Sequence, residues 1–150
     1  MKTGFTILEM LAVITILAIL GAILVGSLSV FNKSQALSLD VEQVMSVIEQ
    51  ARNQTLTSKG GSQYGVHFEA TRFILFAGST YSAQDPNNQI FMLNPLNTVQ
   101  SVTFTGGGTN VIFTRLTGDT LQNGSIVLSS ASLGKTKTVT IHKTGLIEAN

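Results

Sequence analysis

The stretch GFTILEMLAVITILAILGAILV, residues 4–25, constrains this chain more than any other. After Phe5 it is a largely apolar run interrupted by one charge, Glu9, and no further charge occurs until Lys33. An uncharged apolar run longer than about 18 residues suits a helix that crosses a hydrocarbon core about 30 Å thick. A carboxylate inside such a run costs roughly 2.5–3.5 kcal/mol on insertion scales, so Glu9 implies a compensating partner. A cleaved secretory signal peptide is the plain alternative, but its pattern differs. Here the basic region is Lys2 alone, the apolar part is too long, and no A-x-A-like site follows. Lys2 precedes the run, and positive residues beside a span favour the cytoplasmic side, so the rest of the chain is expected on the far side of the membrane.

Beyond residue 25 the sequence turns polar, yet Leu37, Val41, Val44, Ile48 and Ala51 recur at alternating steps of four and three. That spacing is one face of an amphipathic helix, with Glu42 and Glu49 off the stripe. No proline occurs before Pro86, so nothing in the first half forces a break. The pattern predicts a single helix over 6–57, about 80 Å long at 1.5 Å per residue. Ser58-Lys59-Gly60-Gly61 follows as its stop, with glycine supplying the left-handed turn. Gly21 and Gly26 weaken that helix by about 1 kcal/mol each relative to alanine. They serve either close packing between helices in the membrane or local melting during assembly.

From Gln63 the period changes to two. Strands are expected over 63–69 and 72–77 as a hairpin, with Val66, Phe68, Phe73, Leu75 and Phe76 as core candidates. A polar loop over 79–89 leads to strands over 90–93, 99–105, 110–116, 125–129, 136–143 and 146–148. Strands at this spacing, joined by tight turns, argue an antiparallel meander. The amphipathic half of the helix would cover its apolar face. The expected fold class is therefore α+β: a long N-terminal transmembrane and amphipathic α-helix packed on an antiparallel β-meander head. Residues 1–4 form a leader, 5–31 the transmembrane helix, and 32–150 an extracytoplasmic head that includes the second half of the helix.

Met1-Lys2-Thr3-Gly4, then Phe5-Thr6-Ile7-Leu8-Glu9, then an apolar helix, resembles the N-terminus of the type IV prepilins and pseudopilins. The motif demands a Gly, an aromatic residue, a buried acid and an uncharged run in fixed register. The tail adds a looser likeness: Val111-Ile112-Phe113, Leu116-Thr117-Gly118, Gly124-Ser125-Ile126-Val127-Leu128, Val139-Thr140-Ile141 and Thr144-Gly145-Leu146-Ile147. These are similar to the head of the GspH/FimT group of minor pseudopilins and minor pilins, and the Ala51-Arg52 pair near the helix end also fits. The chain lacks the helix-kinking proline and the head disulfide of many major pilins. The resemblance implies a type IV pilin-like fold, cleavage by a prepilin peptidase between Gly4 and Phe5, and N-methylation of Phe5. It also implies that Glu9 sets register by pairing with the Phe5 amine of a neighbouring subunit. The implied partners are that peptidase, other pilins or pseudopilins, an inner-membrane assembly platform and membrane lipid. No cofactor is implied. The machine (secretion system, pilus or competence apparatus) stays open.

The remaining chemistry-bearing residues converge poorly. His67 and His142 fall on predicted strands beside no acidic cluster, and a metal or catalytic role needs converging groups. Gly106-Gly107-Gly108 lacks the Lys-Ser/Thr and the following helix of a phosphate cradle. Asp85, Asn87 and Asn88 offer oxygens for the calcium that some family heads hold, but with one carboxylate. Some minor pilins of this group bind DNA for uptake, and Arg72, Arg115, Lys135, Lys137 and Lys143 are the cations such a face would use. No aromatic residues interleave with them, and a net charge of +1 gives no general argument for nucleic acid. Only 11% of residues are charged, against roughly 25% in ordinary soluble domains. That composition suits a subunit packed outside the cytoplasm. With no cysteine, the head holds together by packing alone. A membrane-anchored enzyme would need a convergent polar site in the head, and the sequence offers none.

Overall fold

The computed structural model describes residues 6–150, and the side chains of all of these except 24–27 and 29. One helix, α1 (Ile7–Leu56), carries the first third of the chain without a break. Thr6 caps its start, its hydroxyl accepting the Glu9 N–H at 3.3 Å. This satisfies one of the donors that a helix N-terminus otherwise leaves orphaned. The helix stops as expected near Thr57, but the first left-handed residue is Ser58 (φ 49°) rather than a glycine. Gly60 and Gly61 then continue the turn at φ 59° and 69°.

The two halves of α1 have different surroundings. From Ile7 to Ile23 every side chain is exposed; from Leu37 onward one face is buried. Leu37, Val41, Val44, Ile48 and Ala51 are each at most 3% exposed, with Val47 beside them, while Glu42 and Glu49 face solvent. The stripe thus finds the partner its period demands. Among the described residues no helix is long and apolar enough to cross a membrane. Past Ile23 the described apolar side chains are Leu28, Val30 and Phe31, all exposed, so only part of the apolar run that the sequence contains is described.

The head is antiparallel throughout, in strands β1 (Tyr64–Phe68), β2 (Arg72–Ala77), β3 (Gln89–Met92), β4 (Asn97–Phe104), β5 (Asn110–Ile112), β6 (Gly124–Ser130), β7 (Lys135–Ile141) and β8 (Ile147–Ala149). Rather than forming one continuous meander, they divide into two sheets, ordered β3-β2-β1-β5 and β4-β6-β7-β8. The division comes at β4 and β5. Gly106, Gly107 and Gly108, all near φ +80°, turn the chain so that β5 returns to β1 while β4 pairs with β6. The strand expected over 110–116 ends at Ile112. Phe113 makes only a single bridge to Thr120, and Leu116 (φ 72°) and Gly118 (φ 68°) bend the chain away.

Both sheets turn an apolar face to α1. Val66, Phe68, Phe73, Leu75 and Val111 come from the first, and Phe104, Ile126, Leu128, Val139 and Ile141 from the second; all join the helix stripe in one core. Phe76 is buried too, but on the opposite face of its sheet, edge-on to Tyr81 at 5.5 Å. Tyr81 in turn stacks on His67 at 4.0 Å, so the 78–88 loop folds over that outer face.

Candidate functional site

Three polar joints hold the second half of α1 to the head. Nearest the exposed half, Asp40 is 6% exposed and accepts the Asn94 N–H at 3.1 Å and the Asn97 Nδ2 at 2.7 Å. Near the far end, Arg52 donates from Nε to the Gly118 carbonyl at 3.2 Å and from Nη2 to the Thr144 carbonyl at 3.4 Å. One turn later, buried Thr55 accepts the Tyr64 N–H at 2.9 Å and so starts β1. Sequence reasoning missed Asp40 and Thr55. Asp40 sits one residue from the apolar stripe, and its only signal was a carboxylate next to Val41. Arg52 was singled out only through the family likeness; the structure shows what it does. It clamps two turns, the 114–119 loop and the turn before β8, onto the helix. Gly145 packs so closely there that a Cβ would stand 2.1 Å from the Gly118 carbonyl oxygen.

Beyond these joints, the first half of α1 carries a long run of exposed apolar side chains. Ile7, Leu8, Leu11, Ile14 and Leu17 are each more than 60% exposed, and Glu9 is the single charge among the described residues of that half before Lys33. A stable monomer in water rarely shows a contiguous apolar surface on this scale. Gly4 and Phe5 lie outside the described residues. The Thr6-Ile7-Leu8-Glu9 sequence also has the S/T-x-x-E form of a capping box, a second role for that stretch that the register reading overlooked.

The five candidate DNA-contacting cations are not brought together. Arg72 binds Glu69, Nε to Oε2 at 2.7 Å and Nη2 to Oε1 at 3.2 Å. The hydrogen bond to Arg72 holds the Glu69 carboxyl below its ordinary range, and the same bond raises Arg72. Lys135 and Lys137 stand at the start of β7. Lys143 lies past its other end, and β7 spans about 20 Å. Arg115 is on the 113–120 loop, which reaches the Lys143 segment through the Thr120 N–H to the Lys143 carbonyl at 2.9 Å.

The histidines are each engaged by a single carboxylate. His67 contacts Asn110 through Nδ1 at 2.5 Å and Glu69 through Nε2 at 3.6 Å, and His142 meets Glu148 at 2.8 Å. Asp85 closes its own turn by accepting the Asn87 N–H at 2.9 Å. Among the described residues no group of three His, Cys, Asp or Glu side chains is placed to hold a metal ion. Nor do the described residues bring together a nucleophile, a base and an orienting group. What the arrangement offers is a packed head on a long helix whose described leading side chains are exposed.

The sequence pattern of the family described as "Type II transport protein GspH" matches residues 40–145. The fold is similar to that of the minor pseudopilin EpsH from the type 2 secretion system of Vibrio cholerae, with a TM-score of 0.57 at 10% identity. The likeness covers 76% of this chain and 95% of that one. No curated protein matches the chain.

Proposed function

The chain belongs to the GspH family of type II transport proteins, and on that footing we propose that it is a minor pseudopilin of a type II secretion system, a structural subunit and not an enzyme. Its head is carried on the extracytoplasmic side of the inner membrane by the apolar run that includes the first half of α1. A prepilin peptidase cuts between Gly4 and Phe5 and methylates the new amine of Phe5. The subunit then leaves the membrane through an assembly platform and joins other pseudopilins, its apolar half packing among their helices. There the Phe5 amine of one subunit pairs with Glu9 of its neighbour. Breaking a buried pair of this kind costs roughly 3–5 kcal/mol, enough to reject subunits out of register.

The single observation that carries this reading is the division of α1. The same helix is buried along one face by its own head from Leu37 onward, while its described side chains from Ile7 to Phe31 are all exposed. A DNA-uptake role has less support, because Arg72 is held by Glu69 and the other four cations are spread along the sheet and loops.

The test is made in cells that carry the secretion system. Intact-mass analysis of the mature protein is expected to show methyl-Phe at the N-terminus, and Glu9→Ala is expected to insert normally yet crosslink poorly to other pseudopilins. Retention of Met1 in the assembled form, or full incorporation of Glu9→Ala, would overturn the processing or the pairing respectively.

A further inference from the structure

Among the described residues, four strands edge the two sheets: β3 and β5 in the first, β4 and β8 in the second. Open edges invite pairing with other chains, and proteins blunt them with bulges, charges or covering groups. Three of the four carry such a device. β4 slips register between Val99 and Ser101. β8 bears Glu148, bound to His142. Along β5 the outward Ile112 N–H is taken by Gln122 Oε1 at 3.3 Å. β3 reads Gln-Ile-Phe-Met, with no charge, no proline and no slip in register.

The ladder with β2 decides where the backbone of β3 points. The Leu93 N–H donates to the Thr71 carbonyl at 3.0 Å, one step beyond the Arg72–Met92 pair. Bonded and non-bonded pairs alternate along an antiparallel ladder. Phe91 and Gln89 therefore bond to β2, while the N–H and C=O of Ile90 and Met92 point out of the sheet. Phe91 anchors the strand from the inner face, stacked on Phe73 at 5.5 Å. Ile90 and Met92 face the other way and are 56% and 60% exposed. The edge thus presents two N–H/C=O pairs, two residues apart, beside two exposed apolar side chains on one face.

We propose that β3 is a docking edge on which an extended segment of a different pseudopilin pairs as a fifth strand. Main-chain bonds to Ile90 and Met92 would supply the attachment, and alternation would select aliphatic, uncharged residues at every second position of the incoming strand. Antiparallel pairing with β3 of a second copy does not suit a subunit anchored through its helix. Antiparallel pairing of β3 with itself has a two-fold axis perpendicular to the sheet, which reverses every direction lying in the sheet plane. The helices packed on the two sheets would then run in opposite senses, whereas subunits anchored through α1 in one membrane run in the same sense. That last step rests on the filament-subunit reading above.

The experiment uses the full chain in detergent micelles, mixed in turn with the purified head of each other pseudopilin of its own secretion system. Amide hydrogen exchange is read residue by residue. One mixture is expected to slow the Ile90 and Met92 amides at least tenfold, with little change at Phe91, which is already bonded to β2. Met92→Pro removes an outward N–H and no bond to β2, so it is expected to weaken that binding at least tenfold with an unchanged melt. Should the proline variant fold poorly, Met92→Lys keeps the backbone and is expected to weaken binding by charging the edge. Binding that leaves both amides exchanging freely, or that survives these variants, overturns the docking edge while leaving the filament reading intact. A self-associated dimer abolished by Met92→Lys overturns the choice of occupant. Failure of the full chain to crosslink to any pseudopilin in cells overturns the filament reading, and the proposal with it.

Discussion

Replacing Asp40 with alanine tests how the head is fixed to its helix. The carboxylate is 6% exposed and accepts two hydrogen bonds, from the Asn94 N–H and from Nδ2 of Asn97, itself 1% exposed. Each hydrogen bond to a charged group is worth about 1.5–3 kcal/mol, and each buried donor left unpaired costs about 1–3 kcal/mol. Water can reach the Asn94 N–H, which is part-buried, more readily than the Asn97 amide. The expected loss is therefore about 3 kcal/mol, with most of it at Asn97. Urea unfolding of a head fragment beginning near Asn32 measures it as a shift in midpoint at constant slope. Glu42→Ala, two residues along and exposed, is the control and should stay within about 0.5 kcal/mol. A double-mutant cycle with Asn97→Ala should return a coupling of about 1–2 kcal/mol. If Asp40→Ala behaves like Glu42→Ala, the carboxylate is not what ties the β3–β4 turn to the helix, and the joint as described is wrong.

Ile48→Asp places a charge where 0% of the side chain is exposed, and is expected to destabilise the head by about 3–5 kcal/mol, against about 0.5 or less for Glu49→Ala; thermal melts compare them. Gly145→Ala would bring a methyl group within 2.1 Å of the Gly118 carbonyl and force an unfavourable φ of 76°, so a loss of about 2–4 kcal/mol is expected from the same melts. For the Glu69–Arg72 pair, the hydrogen bond from Arg72 holds the Glu69 pKa in the folded state below that of a free glutamate. The pair's contribution is therefore present above that value and is lost as pH falls through the lowered pKa. NMR titration should show Glu69 moving back up in Arg72→Met, and the stability difference between the two proteins should vanish in strong acid.

The helix and most strands were legible because their signals are local. Leu37, Val41, Val44, Ile48 and Ala51 share a face by spacing alone, and all five proved buried against the head. β1 and β2 showed in the alternation of Val66, Phe68, Phe73 and Leu75, and their hairpin follows from the short link at 69–71. The family likeness was legible in residues whose spacing is fixed by the chain itself.

Other features were settled only when distant segments met. Nothing local to 97–112 says that β4 joins β6 while β5 returns to β1; that choice depends on which apolar faces the helix can cover together. Two of the three joints of α1 connect residues 54 to 92 positions apart: Asp40 to Asn94, Arg52 to Gly118 and to Thr144. A buried carboxylate such as that of Asp40 is tolerable only where partners arrive from elsewhere, so its sequence neighbours cannot announce it. The bare edge of β3 is likewise a property of the sheet, because a backbone N–H is free or bonded only once its neighbour strand is in place. Periodicity along this chain determined which side chains would seek cover. Tertiary structure decided which of them found it within the molecule, and left the first half of α1 and the outer edge of β3 for other chains.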